Sequence, residues 1–166
     1  MRTLAHSRTL YSARGFTMVE LILVMVIFGI LSAIAMSRFT ARVEFDGRGF
    51  FDQTLSMVRY AQKLAIAQRR TVWVQASQTG RIICLTYVQV NVDCQNDGGA
   101  PVPTPGEQTW FVKTAPTDIS FGSSPVFAFN PLGQPSPNAA VNLTLYQGGS
   151  TSIGNIKIEA ETGYVH

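Results

Sequence analysis

Histidine is almost absent from this chain of 166 residues. There is one near each end, His6 and His166, and none between. A histidine-based acid–base or nucleophilic centre in the interior is therefore excluded. Charge is also scarce. Asp, Glu, Lys and Arg make up 14% of the residues, against about a quarter in ordinary soluble domains. The acids are scattered, and no phosphate loop, dinucleotide fingerprint, nucleophile elbow or metal-ligand spacing occurs. These gaps argue against an enzyme, and no cofactor or metal is expected.

Acids are wholly missing from residues 1–15, which carry Arg2, Arg8 and Arg14. Removing those three arginines leaves ten basic side chains against ten acidic ones. The formal charge of +3 thus belongs to the N-terminal segment. A nucleic-acid reading based on overall basicity loses its support.

There are two cysteines, Cys84 and Cys94. Two thiols without a nearby histidine make a poor zinc site. In an exported domain such a pair is more often a disulfide, and Cys84–Cys94 is the expected bond, with free thiols as the alternative. Closing a loop of that length would stabilise the fold by about 2–3 kcal/mol on the chain-entropy model.

What the chain does have is a long apolar run. Residues 16–35 contain a single charge, Glu20. As a helix rising about 1.5 Å per residue they would cover about 30 Å, one hydrocarbon thickness. The arginines ahead of the run favour the cytoplasmic side, so the residues after the run would face outward. The alternatives are a buried core helix, an ordinary membrane anchor, or a secretory signal cut near Ala35, since Ser32-Ala33-Ile34-Ala35 contains a small-residue site. Glu20 inside the run speaks against the secretory signal. A lone carboxylate in hydrocarbon costs at least a few kcal/mol and marks function by default. If the chain is cut after Gly15, Phe16 gains an α-amino cation. Glu20 could then pair with that amine, in its own copy or in a neighbour, and so set the axial register between copies.

The periodicity predicts an amphipathic continuation over 37–46 and a break at Asp46-Gly47-Arg48-Gly49. A second helix is expected over 51–70, with Leu55, Val58, Ala61 and Ala65 at helical spacing. From Thr71 the period becomes two. Strands are expected at 72–75, 82–92, 109–113, 119–121, 126–129, 141–146 and 156–160, with a Gly/Pro-rich loop over 93–106. Helices followed by strands alone give an α+β class with antiparallel sheet.

Gly15-Phe16-Thr17-Met18-Val19-Glu20, after a basic leader and before apolar residues, resembles the processing signal of type IV prepilins and pseudopilins. The resemblance implies a prepilin peptidase that cuts between Gly15 and Phe16 and N-methylates Phe16. It makes Glu20 the assembly glutamate. The remainder is similar to the GspH/FimT-type minor pilins and pseudopilins, through Arg59-Tyr60-Ala61-Gln62-Lys63-Leu64-Ala65 leading into Val72-Trp73-Val74, through Phe127-Ala128-Phe129-Asn130-Pro131-Leu132-Gly133, and through the ending Thr162-Gly163-Tyr164-Val165. That ending and the cysteine pair also resemble a mannose-sensitive-haemagglutinin-type minor pilin.

The implied organisation is a basic leader (1–15, cleaved), a transmembrane and assembly helix (16–46) and a globular head (47–166), together a pilin lollipop. The implied role is a structural subunit of a type IV pilus or type II secretion pseudopilus, in the initiation or tip complex. It would be held in the bacterial inner membrane with a periplasmic head and then moved into the fibre. Other pilin or pseudopilin subunits, the peptidase and membrane lipid are the implied partners. A pilus-tip module binding DNA or another surface ligand is the alternative. Glu159 and Glu161 stand where DNA-binding relatives carry arginines, so nucleic acid is not expected.

Overall fold

The computed structural model describes residues 16–90, 94 and 98–166, and for 34–44 the backbone alone. The leader and the last two residues of the strand expected over 82–92 lie outside that set. Among the described residues one helix, α1 (Met18–Gln68), is followed by eight strands. They are β1 (Val72–Ser77), β2 (Ile82–Thr86), β3 (Val112–Thr114), β4 (Ile119–Phe121), β5 (Val126–Phe129), β6 (Pro135–Ser136), β7 (Val141–Gln147) and β8 (Thr151–Ile158). The chain divides into two compact units, Met1–Thr40 and Ala41–His166.

The α+β class holds, and among the described residues every strand pairing is antiparallel. One sheet has the order β3-β2-β1-β5-β6, the other β4-β7-β8. The helix expected over 51–70 is present, but as the end of α1 rather than as a separate element. The expected break at Gly47 and Gly49 is absent. The reason is packing. A Cβ at Gly47 would lie 3.1 Å from Ile153 Cδ1 and 3.3 Å from Ile119 Cδ1. Gly47 thus lets the helix approach the second sheet closely, and its cost in helix propensity, about 1 kcal/mol, is offset by that contact. One turn later the ring of Phe51 occupies the space a side chain at Gly154 of β8 would need.

Helical spacing selects the buried face of α1. Phe50, Thr54, Met57, Val58, Ala61 and Ala65 are all buried, which follows the i, i+3, i+4, i+7 rule. The apolar members join one core with Val72 and Val74 of β1, Ile83 and Leu85 of β2, Phe127 and Phe129 of β5, and Leu143, Leu145, Ile156 and Ile158 of the second sheet. Cross-strand register brings the large side chains together, with Val74 opposite both Leu85 and Phe127. The helix ends in a Schellman turn. Arg70 N–H donates to Ala65 O at 3.2 Å and Arg69 N–H to Ile66 O at 3.3 Å, with Arg69 at φ 50°.

The C-terminal residues fold back as an added edge on β8. Lys157 and His166 exchange both backbone hydrogen bonds, at 2.7 and 3.0 Å, and Val165 is buried. The guanidinium of Arg59 donates through Nε and Nη2 to Val165 O, at 3.2 and 3.1 Å. Gln62 Nε2 donates to Gly133 O at 3.0 Å and to Thr162 O at 3.3 Å. Two side chains of one helix therefore fasten both the 130–134 turn and the chain end.

Candidate functional site

The expected site residues fall in two places. Phe16 and Glu20 lie together at the start of α1, in the first unit. Cys84 and Cys94 lie in the second. Gly15, the other half of the expected cut, lies outside the described residues.

At the start of α1 the local chemistry is that of a helix cap. Phe16 and Thr17 are non-helical, and α1 begins at Met18. The amide of Glu20 donates to Thr17 Oγ1 at 3.3 Å, and the amide of Leu21 to Thr17 O at 3.2 Å. Thr17 is thus the N-cap and Glu20 the third helical residue, the T-x-x-E pattern of a capping box. The carboxylate of Glu20 sits in the first turn, where the helix dipole favours negative charge. Sequence reasoning singled out Glu20 and missed Thr17, although the T-x-x-E spacing is legible in the chain.

Beyond the cap, every described side chain from 16 to 33 is exposed. Met18 is 83% exposed, Val19 76% and Phe28 67%, and exposure runs right round the helix. A helix apolar on all sides is stable only when lipid or other protein surrounds it. Residues 18–33 extend about 24 Å at about 1.5 Å per residue. Among the described residues no helix is long and apolar enough to cross a membrane. The expected span over 16–35 ends in residues whose side chains lie outside the described set. Ser32 Oγ donates to Phe28 O at 2.7 Å, so its hydroxyl is satisfied within the helix.

In the second unit the expected disulfide is formed. Cys84 and Cys94 are bonded, with their Cα atoms 5.9 Å apart and both residues buried. Cys84 is on β2, opposite Gln75 of β1. The bond draws Cys94 over that position, where Cys94 Sγ lies 3.5 Å from Gln75 O. Gln75 Nε2 donates in turn to Thr86 Oγ1 at 3.2 Å. The bridge therefore covers a buried polar pair.

Shallow hollows among the described residues include two on the surface of this unit. One, of about 260 Å³, is lined by Asp46, Pro116, Thr117, Asp118 and Ile119. The other, of about 120 Å³, is lined by Arg48, Gln147, Thr151, Ser152 and Ile153. Among the described residues no group of three or more His, Cys, Asp or Glu side chains could hold a metal. Near the chain end Glu159 receives a hydrogen bond from Lys157 at 2.7 Å and lies 3.1 Å from the His166 ring. Lys157 above all, then His166, holds its carboxyl below the ordinary glutamate value, against a small opposing effect of burial.

Comparison with known proteins agrees with this division. Residues 11–36 match the prokaryotic N-terminal methylation motif. Residues 51–160 match the family model described as type II transport protein GspH. The type IV narrow pilus major component PilA5 of Thermus thermophilus is 40% identical over 60 residues, which cover 36% of this chain and 52% of that protein. The match thus spans about half the length of that relative. Two crystal forms of the type IV minor pilin FimU of Pseudomonas aeruginosa (strain PAO1) share the fold at 18% identity. Their TM-scores are 0.55 and 0.50, covering 77% and 69% of this chain and 90% and 86% of theirs. A methylation motif at the head of an exposed apolar helix, joined to a GspH module with the fold of a minor pilin, leads to one assignment: the chain belongs to the GspH family of type II transport proteins, within the wider type IV pilin and pseudopilin class.

Proposed function

We propose that this protein is a minor pilin or pseudopilin. It is cut between Gly15 and Phe16 by a prepilin peptidase, methylated on the Phe16 amine and built into a type IV pilus or type II secretion pseudopilus, in its initiation or tip complex. Before assembly the apolar part of α1 sits in the bacterial inner membrane with the head on the periplasmic side. The observation that carries this reading is the exposed apolar surface of residues 16–33, bearing one acid at its start. A surface of that kind is stable in lipid, and equally stable against the same surface of other subunits. Transfer from one to the other needs no refolding of the head, which has its own core.

Glu20 gives the transfer its register. The new Phe16 amine is a cation at the edge of an apolar region, and a carboxylate on a neighbouring helix relieves both charges. The test has two parts. Intact mass of the exported chain should correspond to a methylated N-terminal Phe16, whereas a start near Met36 rejects the reading. The Glu20→Ala variant should be processed normally yet be lost from sheared fibres. Its normal incorporation rejects the role of the carboxylate.

A further inference from the structure

Leu132 is 77% exposed, yet the turn that carries it is tightly held. Asn130 Oδ1 accepts the amides of Leu132 and Gln134, each at 3.0 Å, and Gly133 N–H donates to Asn130 O at 2.9 Å. The turn rests on α1 at Ile66, itself exposed, whose Cδ1 would lie 2.7 Å from a Cβ on Gly133. A side chain fixed in water by its own turn loses little freedom on docking. Lys63 and Arg69, three residues before and after Ile66, are exposed on the same side of the helix end. Glu161, tied to the turn by Gln134 Nε2 at 2.9 Å from its carbonyl, carries the opposite sign there but is outnumbered. Twenty residues back along α1, at Asp46, or about 30 Å at about 1.5 Å per residue, lies a hollow of the opposite character. It measures about 260 Å³, with apolar surface from Pro116 and Ile119 and acidic surface from Asp46 and Asp118. Arg81 braces its loop by donating to the carbonyls of Pro116 and Thr117, and it does not line the hollow.

Among the described residues the ion pairs are those of Glu159. Lys63 and Arg69 at one place, and Asp46 and Asp118 at the other, have no ionic partner there. We infer that the two places are halves of one interface: the Leu132 turn of one copy of this chain seats in the Asp46–Asp118 hollow of a second copy. The sizes agree, since a cavity of about 150 Å³ already accommodates a benzene-sized group. The charges agree, because Lys63 and Arg69 come to face two carboxylates. Two different patches make a heterologous contact, so each copy keeps one free half and copies add in a row or ring rather than as a two-fold pair. Such a contact gives subunits of the proposed fibre a join between heads, and it depends neither on the cut after Gly15 nor on the pairing of Glu20.

Disulfide trapping between two differently tagged forms of the full chain, mixed in detergent, tests the contact. Cys84 and Cys94 are bonded to each other and buried, so they do not compete. Pro131→Cys in one form and Thr117→Cys in the other, both at exposed positions that leave Leu132 in place, should cross-link. Pro131→Cys paired with Thr151→Cys, in the hollow beside Arg48, should not. Adding Leu132→Ser to the first form, or Asp118→Lys to the second, should lower the yield about tenfold or more. Lys63→Glu with Arg69→Glu in the first form should restore it against Asp118→Lys, which also shows that the Asp118→Lys chain is folded. Equal trapping at Thr117→Cys and Thr151→Cys, stronger trapping of Pro131→Cys with itself, no cross-link at all, or no rescue by the reversed charges would each overturn the inference. The measurement reads the same on cut and uncut chains, so failure of the proposed processing leaves its outcome standing.

Discussion

The carbonyl oxygen of Gly133 fills the space that any side chain on Gly163 would need, and Gln62 Nε2 donates to that same oxygen. Two turns 30 residues apart and one helix thus meet at a point with no room for a methyl group. Gly163 also has φ +64°, where a side chain adds strain of about 1 kcal/mol. Gly163→Ala should therefore destabilise the protein by about 2–4 kcal/mol, strain plus displaced hydrogen bonds. Gly149→Ala is the comparison, because its φ is +77° with nothing within 4 Å. Thermal melts of both variants should place Gly163→Ala well below Gly149→Ala, and equal melting temperatures would remove the packing argument.

Arg69 offers the opposite sign. It occupies the left-handed position that closes α1, at φ 50°, and its side chain is exposed. Glycine is the residue that position favours. Arg69→Gly should raise stability by about 0.5–1 kcal/mol. Chemical denaturation gives the answer as a higher midpoint at unchanged slope.

The disulfide joins positions 10 apart in sequence. Replacing Cys84 and Cys94 together by Ala should cost about 2–3 kcal/mol. The loss should be local in character. Amide exchange should rise first in β2 and around residues 98–102, where Tyr87 N–H donates to Ala100 O and Val102 N–H to Leu85 O. Intact mass with and without reductant, differing by two hydrogens, verifies the bond in the starting protein.

Glu159 makes stability depend on pH. Its carboxyl is held below the ordinary value by Lys157 and His166 in the folded chain. A depressed carboxyl contributes stability above its unfolded value and loses it as pH falls through the folded value. Glu159→Gln should therefore melt slightly below wild type at neutral pH. The gap should narrow as pH drops below about 4.5 and vanish under stronger acid. A gap that widens on acidification would reverse the assignment.

Much of the fold was legible because β periodicity is local. Strands at 119–121 and 126–129 stand at their expected bounds, and the one expected over 141–146 extends by one residue to Gln147. The misses have long-range causes. The strand expected over 82–92 stops at Thr86, since the Tyr87 amide turns to Ala100 O. The strand expected over 109–113 is Val112–Thr114. The last strand starts at Thr151 rather than 156. Gly154 within it is a residue type that weakens strand interiors, yet it is where Phe51 lands. β6 pairs two residues, Pro135 and Ser136, with Phe129 and Ala128, too short a run to leave a pattern.

By itself the sequence determined the N-terminal methylation motif, the apolar helix, the α+β class and the cysteine pair. Each is encoded within a few residues, by a motif, a run of one polarity or a period. Tertiary structure alone decided that α1 runs unbroken through Gly47, that the chain end is held by Arg59, and that Gly163 must be glycine. Those facts depend on atoms brought close from positions far apart in the chain, such as Gly47 with Ile153 or Gly163 with Gly133. No local pattern records such approaches, because the same glycine reads as a helix breaker when alone and as a contact surface when another element arrives.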